Sequence, residues 1–154
     1  MNAQKTYPKT AAVVSLRMVK DAEVHYNTPI TSPKYAARLL HPFFKDLDRE
    51  HFYVVCLSGQ KEVTAINLVA VGGLNGIGID MRNIFKPAIL SNADSIIVAH
   101  NHPSGNPTFS KSDLKCTERI DEVGCLLRID LIDHIIFYGP LETDYICYTL
   151  SGAG

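Results

Sequence analysis

Residues 95–113 read SIIVAHNHPSGNPTFSKSD, and how this run is divided decides the architecture. SIIVA (95–99) is apolar and rich in β-branched residues, which predicts a short strand. From Lys111 onward, Cys116, Ile120, Val123 and Leu127 follow the spacing i, i+4, i+7, i+11 of an amphipathic helix, with Gly124 weakening its last turn. Ser110 and Asp113 suit its first turn as an N-cap serine with an acid three residues on, a variant of the capping box. Asn101-His102-Pro103-Ser104-Gly105, between strand and helix, is good turn chemistry.

Working outward, HFYVVCLS (51–58) is almost continuously apolar and predicts a strand buried on both faces. Gly59-Gln60 marks a turn, and EVTAINLVAVGG (62–73) predicts an antiparallel partner in a hairpin. Thr31-Ser32-Pro33 looks like a helix start with Ser32 as cap, followed by Tyr35, Leu39, Leu40, Phe43, Phe44 and Leu47 at roughly helical spacing. Pro42 is expected to kink or divide that helix. LNGIGID is glycine-rich, and Asp80 is placed to cap a helix carrying Ile84, Phe85, Ala88 and Ile89 on one face, with Pro87 restricting where it begins. LRIDLIDHIIFYG (127–139) and DYICYTL (144–150) supply two further strands. The expectation is an α/β domain, a single-domain mixed sheet flanked by helices.

With 154 residues, 46% hydrophobic and 20% charged, the chain has the composition of one ordinary globular domain. It is long enough to bury roughly 70% of the surface exposed on unfolding. No apolar run reaches the roughly 18 residues of a membrane span, and the N-terminal AAVVSL is too short and too closely flanked by polar residues for a signal peptide. Cys56, Cys116, Cys125 and Cys147 are widely separated, which predicts buried reduced thiols and a cytoplasmic protein. The net charge of −1 gives no global attraction for nucleic acid or an anionic membrane. Residues 1–20 nevertheless hold Lys5, Lys9, Arg17 and Lys20 without an acid, so residues 1–29 are read as a basic arm or edge segment ahead of a domain spanning 30–154.

In an extended segment residues two apart point to the same side, so His100 and His102 can aim both imidazoles at one point. Asp113 can close the set if the Pro103–Phe109 loop folds back over the strand end. Two imidazoles and a carboxylate leave a fourth tetrahedral position for water, the arrangement of catalytic rather than structural zinc. The competing reading is a turn and a capped helix needing no metal. For Ser110 and Asp113 alone that reading leads; the paired histidines, which have no packing role at a strand end, tip the balance towards a Zn2+ site.

The spacing H-x-H, seven residues, S-x-x-D, matched by His100, His102, Ser110 and Asp113, resembles the JAMM motif of the MPN+ metalloproteases. AILSNADSIIVAHNHPSGNPTFSKSD followed by DLIDHIIF is similar to the RadC branch of that superfamily, over about residues 30–150. The resemblance implies a JAB/MPN, cytidine-deaminase-like architecture. It also implies a catalytic glutamate just ahead of a strand, which is Glu50; on composition alone Glu50 is an exposed acid in the Asp46, Asp48, Glu50 cluster. The implied chemistry is zinc held by His100, His102 and Asp113, Glu50 moving the proton of the attacking water, and Ser110 stabilising the tetrahedral oxyanion. His134 matches a RadC-like Asp-His pair and is read as structural, while His25, His41 and His51 show no partner spacing.

Three functions follow as expectations. The first is a zinc-dependent JAMM-type hydrolase acting on a peptide or protein substrate through a peptide or isopeptide bond. The second is a metal-dependent nuclease or DNA-repair-associated protein, with Lys111, Lys115 and Arg119 as a basic stripe; Glu118, Asp121 and Glu122 on the same helix favour a mixed solvated face instead. Longer RadC-like proteins carry a helix-hairpin-helix region ahead of this domain, and roughly 30 residues are too few for it, which weakens the DNA reading. The third is a non-catalytic MPN interaction module, against which the intact ligand set argues.

Overall fold

The computed structural model describes residues 8–72 and 79–149. Its elements are α1 (Pro33–Phe44), β1 (His51–Leu57), β2 (Val63–Val71), α2 (Met81–Leu90), β3 (Ser95–Asn101), α3 (Lys111–Leu127), β4 (Asp130–Phe137) and β5 (Tyr145–Cys147). The strands form one mixed sheet in the order β2-β1-β3-β4-β5. Only β3 and β4 run parallel, joined by the crossover through α3; the other neighbours are antiparallel. The chain is thus α/β, with a mixed sheet flanked by helices.

Side-chain alternation along the central strands feeds two cores. On one face Ala36, Ala37 and Leu40 of α1 pack on Val55, Leu57, Ile97, Ala99, Ile135 and Phe137. On the other, Ile84, Phe85 and Ala88 of α2 and Ile120 of α3 pack on Phe52, Val54, Cys56, Ile96 and Val98. β3 is buried at every position, so the segment that ends in the paired histidines is held from both faces.

Several boundaries differ from expectation. β3 continues through His100 and Asn101 because Phe52 of β1 and Ile136 of β4 pair with His100 on either side. β4 starts only at Asp130: Leu127 belongs to α3, and Arg128 turns the chain in the left-handed region at φ 56, with Ile129 N donating to Gly124 O. β5 is three residues long. Pro42 and Pro87 divide neither helix. Each sits near the C-terminal end, where it removes one hydrogen bond, and Phe44 and Ala88 just beyond are buried. Ser32 occupies the cap position of α1 without a side-chain cap bond; its carbonyl accepts from Tyr35 N and Ala36 N. Asp80 caps α2 through Arg82 N as expected.

The buried line of α3 is Asp113, Thr117, Ile120 and Gly124, and Leu127 is 42% exposed. Gly124 is required by packing: a Cβ there would lie 2.5 Å from the Ile129 carbonyl oxygen. Gly124→Ala is expected to cost about 1–3 kcal/mol, read as a lowered urea midpoint at unchanged slope.

Residues 8–29 hold no helix or strand and are exposed, so that part of the arm is not an edge strand; β2 and β5 are the sheet edges. Residues 73–78, which take in the LNGIG of the LNGIGID stretch, lie outside the described residues. All four cysteines are free thiols. Cys56 and Cys147 are buried, Cys116 is half-buried, and Cys125 is exposed, against expectation, because its side of α3 faces solvent. Burial pushes the Cys56 and Cys116 thiols up to about 11 and Cys147 up to about 12, leaving them inert. Among the described residues no helix is long and apolar enough to cross a membrane.

Candidate metal centre

His100 is the last inward-facing residue of β3, stacked on Phe52 with ring centroids 5.8 Å apart and planes 10° from parallel. His102 follows one residue past the strand, tied by its backbone N–H to Phe137 O of β4. The loop then folds back: Gly105 adopts φ 77, a region closed to most side chains, and its N–H returns to His102 O. The return lands on α3, whose start is a complete capping box. Ser110 Oγ accepts from Asp113 N at 3.1 Å, and Asp113 Oδ2 accepts from Ser110 N at 2.7 Å. The cap and the site are one structure, because the box fixes the carboxylate against the histidines.

The three side chains converge, with ligand atoms within 4.8 Å of one another. His100 Nε2 lies 3.1 Å from His102 Nε2 and 3.2 Å from Asp113 Oδ1, and His102 Nε2 lies 3.3 Å from Asp113 Oδ2. A tetrahedral ion with ligand bonds of about 2.0–2.1 Å has ligand–ligand edges of about 3.3 Å. His102 Nδ1 lies 2.8 Å from Asn106 O, which can only accept, so Nδ1 carries the hydrogen and neutral His102 keeps its lone pair on Nε2. Among the described residues Asp113 Oδ1 is buried without a hydrogen-bond partner. A cluster of lone pairs with an orphaned buried oxygen suits a cation, and the donor set of two nitrogens and a carboxylate suits a divalent metal.

The electrostatics agree. Burial alone raises the Asp113 carboxyl, but the hydrogen bonds that His100 and His102 donate to it when protonated, the charge of His100 and the Ser110 bond outweigh burial and hold it well below the usual carboxylate range. Hydrogen bonding to Asp113 raises His102; burial opposes this, and Asn106 O and the charge of Glu50 add to it. His134, completely buried, is held well below the ordinary imidazole value by desolvation and then by His100.

Glu50 is half-buried directly ahead of β1, close enough for its charge to act on His102. Its carbonyl accepts from Gly72 N at 2.8 Å. Lys111, Lys115 and Arg119 are exposed on α3, and Arg119 lies 3.9 Å from Glu122. His41 binds Pro140 O and His51 stacks on Tyr53.

Two residues escaped the sequence reading. Asn101, between the histidines, points to the opposite side and grips the backbone on both sides of Glu50: its Oδ1 accepts from His51 N at 2.7 Å and its Nδ2 donates to Arg49 O at 3.1 Å. The alternation that converges the histidines also predicts that Asn101 faces away, but not what it meets. Asn101→Ala orphans both backbone groups and is expected to lower stability by about 1–3 kcal/mol in urea denaturation. Thr117, buried beside His134, lies one helical turn beyond Asp113, a spacing visible in the sequence.

A mixed α/β sheet presenting two histidines from a strand end and an aspartate from the following helix defines a JAB-type domain. A family model described as "RadC-like JAB domain" matches residues 30–149, and the chain belongs to that family. It is 42% identical over 110 residues to a UPF0758 protein of Caldanaerobacter subterraneus, covering 71% of this chain and 47% of that protein. It is 44% identical over 107 residues to one from Desulfitobacterium hafniense (70% and 47%) and 39% over 136 residues to one from Roseiflexus castenholzii (88% and 58%). The chain therefore spans about half the length of the relatives it matches.

Proposed function

We propose that this chain is a zinc-dependent hydrolase that cleaves a peptide or isopeptide bond. The observation that supports the reading is the convergence of His100 Nε2, His102 Nε2 and the Asp113 carboxylate, whose buried Oδ1 has no hydrogen-bond partner among the described residues. These three residues would hold the ion, which when bound supplies a Lewis acid and lowers the pKa of a water towards ~7. Glu50 takes the proton of the attacking water and delivers it to the leaving amine. Ser110 Oγ accepts the cap bond from Asp113 N, which leaves the hydroxyl proton to be donated to the tetrahedral oxyanion. His102 and Asp113 stay fixed through Asn106 and the capping box while charge develops.

The test is a mass-spectrometric screen of the zinc-loaded chain against peptides and isopeptide-linked conjugates. The expected result is cleavage that a chelator abolishes and added zinc restores. No cleavage, or cleavage indifferent to chelation, contradicts the proposal. Chelator-indifferent partner binding by a metal-free chain would favour an interaction module instead. Salt-sensitive DNA binding weakened by neutralising Lys111, Lys115 and Arg119 would favour the nucleic-acid reading, against which the exposed Glu118, Asp121 and Glu122 on the same helix weigh.

Zinc competes with protons for the histidines. Because His102 is raised above the ordinary imidazole value, protonation opposes binding from a higher pH than it would at a free histidine. Zinc affinity is expected to be highest above the raised value and to fall about tenfold per pH unit below it. A competition titration with a chromogenic chelator between pH 8 and pH 5 measures this.

A further inference from the structure

A histidine ligand is useful only in the tautomer that points its lone pair at the metal, and something in the protein must choose it. For His102 the Asn106 carbonyl does so. Among the described residues the partner of the other His100 nitrogen is neither a carbonyl nor a carboxylate: Nδ1 lies 2.8 Å from Nε2 of His134, a second histidine able to donate or accept.

The ambiguity is resolved two atoms further on. Thr117 Oγ1 lies 2.8 Å from Asp113 O and 2.7 Å from His134 Nδ1. A carbonyl can only accept, and a hydroxyl has a single proton, so Thr117 donates to Asp113 O and accepts from His134 Nδ1–H. His134 is completely buried, with both ring nitrogens engaged by neutral partners, and an imidazolium there would be strongly disfavoured. Its Nε2 therefore carries a lone pair, which accepts from His100 Nδ1–H. His100 is left with its lone pair on Nε2, the nitrogen that faces His102 and Asp113.

We propose that His134, directed by the Thr117 hydroxyl, is the positioning residue that sets the tautomer of His100. This rests on the metal-centre reading above. The hydrogen bonds run from the backbone carbonyl of Asp113 through Thr117 and His134 to His100, so the relay ties His100 to the helical turn that carries Asp113. Its three side chains, Thr117, His134 and His100, are at most 2% exposed.

The test separates hydroxyl from shape. In the metal-free protein with 15N-labelled histidine, long-range 1H–15N correlation above pH 8 is expected to show both His100 and His134 hydrogenated at Nδ1. Thr117→Val keeps the volume and removes the hydroxyl; it is expected to shift His100 towards the Nε2–H form and weaken zinc binding by about 10–100-fold. Thr117→Ser keeps the hydroxyl and is expected to bind zinc within about twofold of the parent. Wild-type His100 hydrogenated at Nε2, or a Thr117→Val chain that binds zinc as the parent does, overturns the proposal. If Thr117→Val does not fold, the wild-type tautomers still decide it. A parent that binds no zinc yet shows the expected tautomers sinks the zinc reading while leaving the relay intact.

Discussion

Glu50→Gln is expected to leave zinc bound and to reduce hydrolysis by about 10²–10⁴-fold. The amide keeps the shape of the side chain, and the backbone on either side stays clamped by Asn101, so the substitution removes only the group that accepts a proton. Glu50 is not among the converging ligands, so metal content should not change. Its charge also raises His102, so the variant should bind zinc to slightly lower pH than the parent. The checks are metal analysis after desalting and turnover of any substrate found in the screen. A Glu50→Gln chain of parental activity removes Glu50 from the mechanism.

Asp113→Asn is expected to weaken zinc binding by more than about 100-fold, beyond the 10–100-fold typical of residues that only support a ligand. The carboxamide can still accept from Ser110 N through its oxygen, so the capping box and α3 survive. What disappears is the buried negative charge that opposes two imidazoles and completes the donor set. Circular dichroism should therefore match the parent while zinc is lost on desalting. Parental zinc affinity in Asp113→Asn would place the ion elsewhere.

The fold was legible where one residue pattern had one structural outcome. The apolar run 51–58 could only be a central strand, and the serine and acid at 110 and 113 mark a helix start whether or not a metal is present. Pro42 does not divide its helix: local propensity counts a lost hydrogen bond, whereas Phe44 just past it is held by the core. The inward face of α3 was legible in its middle and not at its ends. Cys116, Ile120 and Val123 pack on the core as hydrophobic periodicity selects, but Leu127 is 42% exposed, and the N-terminal end of the helix is buried through Asp113 and Thr117, beside the paired histidines.

The same contrast holds at the site. His100, His102 and Asp113 were legible because strand alternation and the start of a helix are local rules. Asn101 and the Thr117–His134 relay were not, since each joins residues far apart in sequence: Asn101 meets residues 49 and 51, and His134 lies 34 residues from His100. What looked like a core histidine in LIDHIIF is both buried and in contact with the site, because β4 runs parallel beside β3 and sets His134 against the strand that ends in the ligands.

The most direct measurement is a crystal structure of the zinc-loaded protein with anomalous scattering recorded at the zinc edge. One peak per chain is expected, within about 2.0–2.2 Å of His100 Nε2, His102 Nε2 and an Asp113 carboxylate oxygen. No peak at that point, or a peak bound by other residues, would contradict it.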